Sequence, residues 1–173
     1  GGVIPLLGDL LTGGGAAELT AAVLLLLGGA AFLICAPVLA LIDLREHRLP
    51  NRIIYPWALV TLGLLPLLGL LLGDASAVLR AAAAGLIWAL VFLGIRLLHP
   101  PSLGMGDVKL VLILGIYTGF LGWPVLGAAV VLACLSGGLV SAALLITRRA
   151  DRRTAIPFGP FLLLGAGLAL LLS

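Results

Sequence analysis

Residues 19–43 read LTAAVLLLLGGAAFLICAPVLALID, a run of 24 uncharged residues closed by Asp43. An α-helix rises about 1.5 Å per residue, so roughly 20 apolar residues cross a hydrocarbon core about 30 Å thick. Such a stretch is a membrane helix. Five further apolar runs follow, at about Ile53–Leu72, Ala77–Leu98, Val108–Trp123, Val125–Ile146 and Phe158–Leu172. Breaks separate them: Gly73-Asp74-Ala75-Ser76, His99-Pro100-Pro101, Pro124 and the basic run from Arg148 to Arg153. The expectation is an all-α polytopic membrane protein of about six transmembrane helices, one domain over residues 1–173. Residues 1–18 form an N-terminal stretch before the first span. It lacks the basic start of a cleaved signal peptide, since Gly1 to Ala17 contain no Lys or Arg.

The composition agrees. The 173 residues are 62% hydrophobic and 10% charged, with a mean hydropathy of +1.31, whereas soluble domains carry about 25% charged residues. A water-soluble globule is excluded, because too few polar residues exist to coat its surface. The net charge of +3 comes from ten Lys and Arg against seven Asp and Glu. These basic residues sit in short loops and form no stripe, so no nucleic-acid partner is expected. Cys35 and Cys134 lie in separate apolar runs without a CxxC, which gives no disulfide framework. His47 and His99 lack the HExxH spacing, and no metal site or cofactor is expected. Nothing in the sequence fixes an oligomeric state.

Orientation follows from the tendency of Lys and Arg to stay in cytoplasmic loops. Nine basic residues, Arg45, Arg48, Arg52, Arg96, Lys109, Arg148, Arg149, Arg152 and Arg153, fall on one side of the six-span arrangement, and only Arg80 falls on the other. Both termini are therefore expected outside the cytoplasm, residues 1–18 included.

A charge at the bilayer centre costs about 2.5–3.5 kcal/mol on insertion scales, so acids beside a span need a reason. Asp43 closes the first run and Asp107 precedes the fourth, which puts both carboxyls at the same cytoplasmic boundary. A carboxyl pair hydrolyses an amide when its ionised member takes a proton from water and its protonated member gives one to the carbonyl oxygen. Asp107 begins a helix, where the positive dipole end favours the anion, and Asp43 ends one, where the negative end favours the neutral acid. This makes Asp107 the base and Asp43 the acid. Gly104 and Gly106, lacking a Cβ, let the backbone before Asp107 approach another element closely. Pro50 and Asn51 read as the junction of the first two spans, with Asn51 as N-cap. Gly159 opens the last span, with Pro157 and Pro160 beside it. Trp57, Trp88, Trp123, Tyr55 and Tyr117 read as interface anchors or packing residues.

Three ordered motifs carry a resemblance. Leu103-Gly104-Met105-Gly106-Asp107-Val108-Lys109-Leu110 resembles the GxGD segment of the type IV prepilin peptidases, membrane aspartic proteases that also process preflagellins. Asp43 followed by Leu49-Pro50-Asn51 is similar to the first aspartate motif of that family, and Ile156-Pro157-Phe158-Gly159-Pro160-Phe161 to the motif opening its last helix. The resemblance implies an aspartic endopeptidase with Asp43 and Asp107 catalytic. It would remove a short basic leader from a prepilin-like substrate at the cytoplasmic face, after a Gly that precedes the apolar helix of the mature subunit. Its partners would be that precursor and the lipid bilayer, and the location implied is the cell (inner) membrane. Gly104, Gly106, Pro50, Asn51 and Gly159 would shape the site. Larger members carry paired CxxC motifs associated with N-methylation; these are missing here, so peptidase activity alone is expected. Two alternatives fit six spans with two acids: a proton- or ion-coupled transporter using them as relay groups, or an intramembrane protease of the signal-peptide or presenilin type. No internal repeat between residues 1–86 and 87–173 supports the first. The second places its first aspartate mid-helix, whereas Asp43 lies at a boundary.

Overall fold

The computed structural model describes residues 2–98, 103–147 and 157–173. Within them the chain forms seven α-helices and no strand: α1 (Val3–Gly13), α2 (Ala16–Glu46), α3 (Asn51–Leu71), α4 (Ala75–Leu98), α5 (Met105–Leu121), α6 (Trp123–Ile146) and α7 (Gly159–Leu172). His99, Pro100, Pro101, the Arg148–Arg153 run and Ile156 lie outside the described residues.

Four helices, α2, α3, α4 and α6, are long and apolar enough to cross a membrane. The other two expected spans are shorter. With 17 and 14 residues, α5 and α7 reach only about 26 and 21 Å. The shortness of α5 is offset by its surroundings: it packs against α3, α4, α6 and α7, and most of its residues from Asp107 to Phe120 are buried. A helix screened by protein need not match the bilayer. Outward-facing leucines such as Leu33, Leu59, Leu79 and Leu139 are 70% or more exposed, so the surface is apolar, as a lipid-solvated protein requires.

The seam between α4 and α5 is made of residues with little or no side chain. A Cβ on Gly115 would lie 2.6 Å from Gly85 Cα and 2.9 Å from Ala84 O. Such close backbone approach gives dense van der Waals packing where no hydrophobic effect drives association. At the far end of the seam, Arg80 reaches from α4 to the C-terminus of α5. Its Nε and Nη2 donate to Gly119 O and Phe120 O at 2.9 and 2.8 Å, covering carbonyls that the helix end leaves open. Phe32, Trp57 and Tyr117 then lock α2, α3 and α5 together, with ring centroids 5.5–6.0 Å apart. Trp57 Nε1 donates to Tyr117 Oη (3.2 Å), which donates to Gly28 O (2.9 Å). Trp57, Trp88 and Tyr117 are thus core residues, while Trp123 is exposed at the start of α6.

Three local boundaries differ from the sequence reading. Val3–Gly13 of the N-terminal stretch is helical, ended by Gly14 in the left-handed region (φ 73°). It forms because Val3, Leu6, Leu7 and Leu10 pack against the core and the helix touches α2 and α7, a support invisible in a Gly-rich segment. The second difference is that α2 continues past Asp43 to Glu46, where His47 takes up φ 51° and donates its N–H to Asp43 O. Finally, Pro50, not Asn51, caps α3: its carbonyl accepts from Ile53 and Ile54, and the side chain of Asn51, the first helical residue, is engaged elsewhere.

Candidate active site

Only four polar or charged residues are buried among those described: Asp43, Thr61, Asp107 and Thr118. The two threonines return their hydroxyls to carbonyls of their own helices, Trp57 O and Leu114 O, at 2.7 and 2.8 Å. That leaves two carboxyls. Asp43 and Asp107, 64 residues apart in sequence, line one cavity of about 280 Å³. The cavity is enclosed by the end of α2 (Asp43, His47), the following linker (Arg48, Leu49), Asn51 of α3, and the start of α5 from Gly104 to Asp107 together with Lys109.

Each carboxyl is held by a helix N-terminus. Asp107 is the third residue of α5, and its Oδ2 accepts from Gly104 N–H at 3.1 Å, while Asp107 N–H bonds back to Gly104 O at 3.2 Å. Asp43 Oδ2 accepts from Gly159 N–H, also at 3.1 Å. Because Gly159 is the first residue of α7, the positive end of that helix faces Asp43. The sequence placed Asp43 only at the negative end of its own helix. The structure adds an N-terminus from 116 residues away, so the helix-end argument no longer separates an acid from a base.

The glycines are required by contact. A Cβ on Gly159 would sit 2.5 Å from Asp43 Oδ2, and one on Gly106 would sit 2.7 Å from Leu49 Cβ. Leu49 is thereby wedged between Gly106 and Gly159, its Cδ2 lying 3.5 Å from where a Gly159 Cβ would be. A Cβ on Gly104 would meet Asp107 Oδ2 at 3.2 Å. Thus Gly104, Gly106 and Gly159 all border the carboxyls or their linker. Asn51 lines the cavity, and Pro50 sets the start of α3 without lining it. Among the described residues, no three His, Cys, Asp or Glu side chains converge as a metal site would need.

Basic groups gather at the same end. Arg45, Arg48, Arg52, Arg96 and Lys109 belong to the α2–α3 and α4–α5 junctions, opposite Arg80. Arg96 Nη1 donates to Leu103 O at 2.6 Å, tying the residue before Gly104 to α4. Lys109 turns to α3, where Nζ donates to Asn51 Oδ1 (3.0 Å) and Tyr55 Oη (2.9 Å). Neither the Gly159 bond nor the Lys109 contacts were readable in sequence.

Comparison with known proteins bears on the same residues. The model of the type IV leader peptidase family matches residues 30–142, a range that contains Asp43 and Asp107. The chain is 35% identical over 146 residues to a prepilin leader peptidase/N-methyltransferase of Aeromonas hydrophila, covering 82% of this chain and 49% of that protein. It is 31% identical over 135 residues to the protein of that name from Pseudomonas aeruginosa (77% and 45%), and 34% over 124 residues to that of Xanthomonas campestris pv. campestris (70% and 41%). The chain spans about half the length of these curated relatives. No solved structure matches it.

Proposed function

As the chain belongs to the type IV leader peptidase family, we propose that residues 1–173 act as one membrane domain, an aspartic endopeptidase that removes the leader of a prepilin-like precursor. The observation that carries the reading is that Asp43 and Asp107 are the two buried carboxyls among the described residues and share one polar cavity.

The chemistry assigned to them is amide hydrolysis. One carboxylate takes a proton from water as the water oxygen attacks the scissile carbonyl carbon, and the other, neutral carboxyl gives its proton to the carbonyl oxygen. Collapse of the tetrahedral intermediate breaks the C–N bond, and the departing amine takes up a proton from the pair. Two such groups at close range do not both ionise readily, which keeps one proton on the pair. The backbone N–H groups of Gly104 and Gly159 engage the two Oδ2 atoms. In this assignment the Oδ1 atoms serve water and substrate.

The finer reading follows the charges. We infer a cytoplasmic-facing cavity in the cell (inner) membrane, six crossings, both termini outside, and cleavage after the Gly that precedes the apolar helix of the substrate; the basic residues around the cavity support the orientation. For these 173 residues the proposal is peptidase activity alone. Methylation of processed substrate by the purified chain with S-adenosylmethionine would overturn that part.

The test uses the detergent-solubilised chain and a peptide with a basic leader, Gly and an apolar stretch. Mass spectrometry is expected to find one cut, after the Gly. No cut, or cleavage undiminished when both Asp43→Asn and Asp107→Asn are present, favours a relay role for the acids instead.

A further inference from the structure

We propose that Lys109 is a positioning residue, a strap from α5 to α3 that sets the Asp107 helix against the linker beside Asp43. The inference rests on reading Asp43 and Asp107 as the catalytic pair. Lys109 follows Asp107 by two residues, about 200° round the helix, so its stem leaves α5 on a different side from the carboxyl. A lysine that serves only topology extends its ammonium into water. Here Nζ turns instead onto Asn51 Oδ1 and Tyr55 Oη and lies 4.7 Å from the centroid of the Tyr55 ring.

The position is electrostatically odd. Asn51 is the first residue of α3 and Tyr55 lies one turn on, so Nζ sits near the positive end of that helix dipole, where a cation is disfavoured. Two charge-assisted hydrogen bonds and the ring face offset this. The exchange yields little net stability, because exposed charged contacts contribute little. It does yield geometry.

A closed mechanical circuit results. Asn51 follows Leu49 by two residues, and Leu49 is wedged against Gly106, the neighbour of Asp107, and against Gly159, whose N–H holds Asp43. The Lys109 bonds close the circuit by returning from α3 to α5. Without them the first turn of α3 separates from α5, Leu49 loosens in its wedge, and the two carboxyls lose their fixed relation. The consequence falls on the chemical step, not on substrate affinity.

The experiment uses the full chain in detergent with the leader peptide above, comparing Lys109→Met, Lys109→Arg and Tyr55→Phe. Lys109→Met is expected to lower kcat by about 10- to 100-fold with KM within about twofold, as misplacement of reacting groups does. Lys109→Arg, which keeps a cation with several donors, retains kcat within about threefold. Adding Tyr55→Phe to Lys109→Met costs nothing further, because the shared bond is already gone. A second readout does not depend on cleavage. Spin labels at Arg52→Cys and Met105→Cys, with Cys35 and Cys134 replaced by Ala, give a narrow distance distribution in the parent and in Lys109→Arg, and a broadened one in Lys109→Met. An unchanged kcat and distribution in Lys109→Met, a pure KM effect, or equal damage in Lys109→Arg overturns the strap. A parent chain that cleaves nothing sinks the peptidase reading, while the label distances still decide the strap.

Discussion

The two ends of α5 are built on opposite principles. At its C-terminus the helix is locked by backbone-to-backbone packing: Gly115 against Gly85, Gly119 against Ala84, and the Arg80 guanidinium closing on Gly119 O and Phe120 O. An apolar cavity of about 190 Å³ adjoins this end, lined by Phe120 and Leu121 with residues of α1, α2 and α7. At its N-terminus the helix is held by long side chains and single hydrogen bonds around a polar cavity, where Lys109 bonds to α3 and Leu49 of the α2–α3 linker packs against Gly106. Tight seams have few alternative arrangements, whereas a polar cavity bordered by a linker can reshape. The rigid end gives α5 a fixed axis, and the adjustable end presents Asp107. Activity and stability should therefore respond to different substitutions.

Gly115→Leu attacks the rigid end and carries the largest expected effect. A side chain where Gly85 Cα lies 2.6 Å from an added Cβ forces the two helices apart, at a cost of about 3 kcal/mol or more. Monodisperse protein in detergent should fall to a small fraction of the parent yield. If the yield and melting temperature hold, the seam is not what fixes α5. Gly159→Ala attacks the other end. Its methyl would enter the space of Asp43 Oδ2, and about a 100-fold loss of kcat is expected with nearly unchanged melting. A melting loss without a kcat loss would make Gly159 a packing residue. Arg80→Met reverses that pattern at smaller scale. It removes two charge-assisted bonds and should cost about 2 kcal/mol of stability, with kcat per folded molecule retained; a large kcat loss would mean that the two ends are coupled.

How far these differences are visible in the sequence depends on the range of the interaction that creates them. Helix existence is local, and the long apolar runs give α2, α3, α4 and α6 directly. The carboxyl pair is also legible, because a charge at the edge of an apolar run stands out without any knowledge of the fold. The Gly-x-Gly before Asp107 marks close approach, although not what approaches. What stays hidden is non-local. The Gly159 N–H reaches Asp43 across 116 residues and Lys109 reaches Asn51 across 58, and no periodicity records such pairings. Helix α1 is hidden for a related reason: its support comes from α2 and α7, not from the propensities of a segment with Gly8, Gly13 and Pro5. The acid and base roles lose their sequence support for the same reason, since Asp43 also meets the N-terminus of a helix that begins 116 residues away.

The central claim is that Asp43 and Asp107 act as one unit on one peptide bond. Its most direct test is the cleavage rate of the leader peptide by the parent, Asp43→Asn, Asp107→Asn and the double variant, each confirmed folded by its melting temperature. Each single change is expected to lower kcat by about 1,000-fold or more, and the double change to be no worse than either, the non-additivity of groups that share one step. Undiminished cleavage in either single variant, or losses that multiply in the double variant, would contradict the claim.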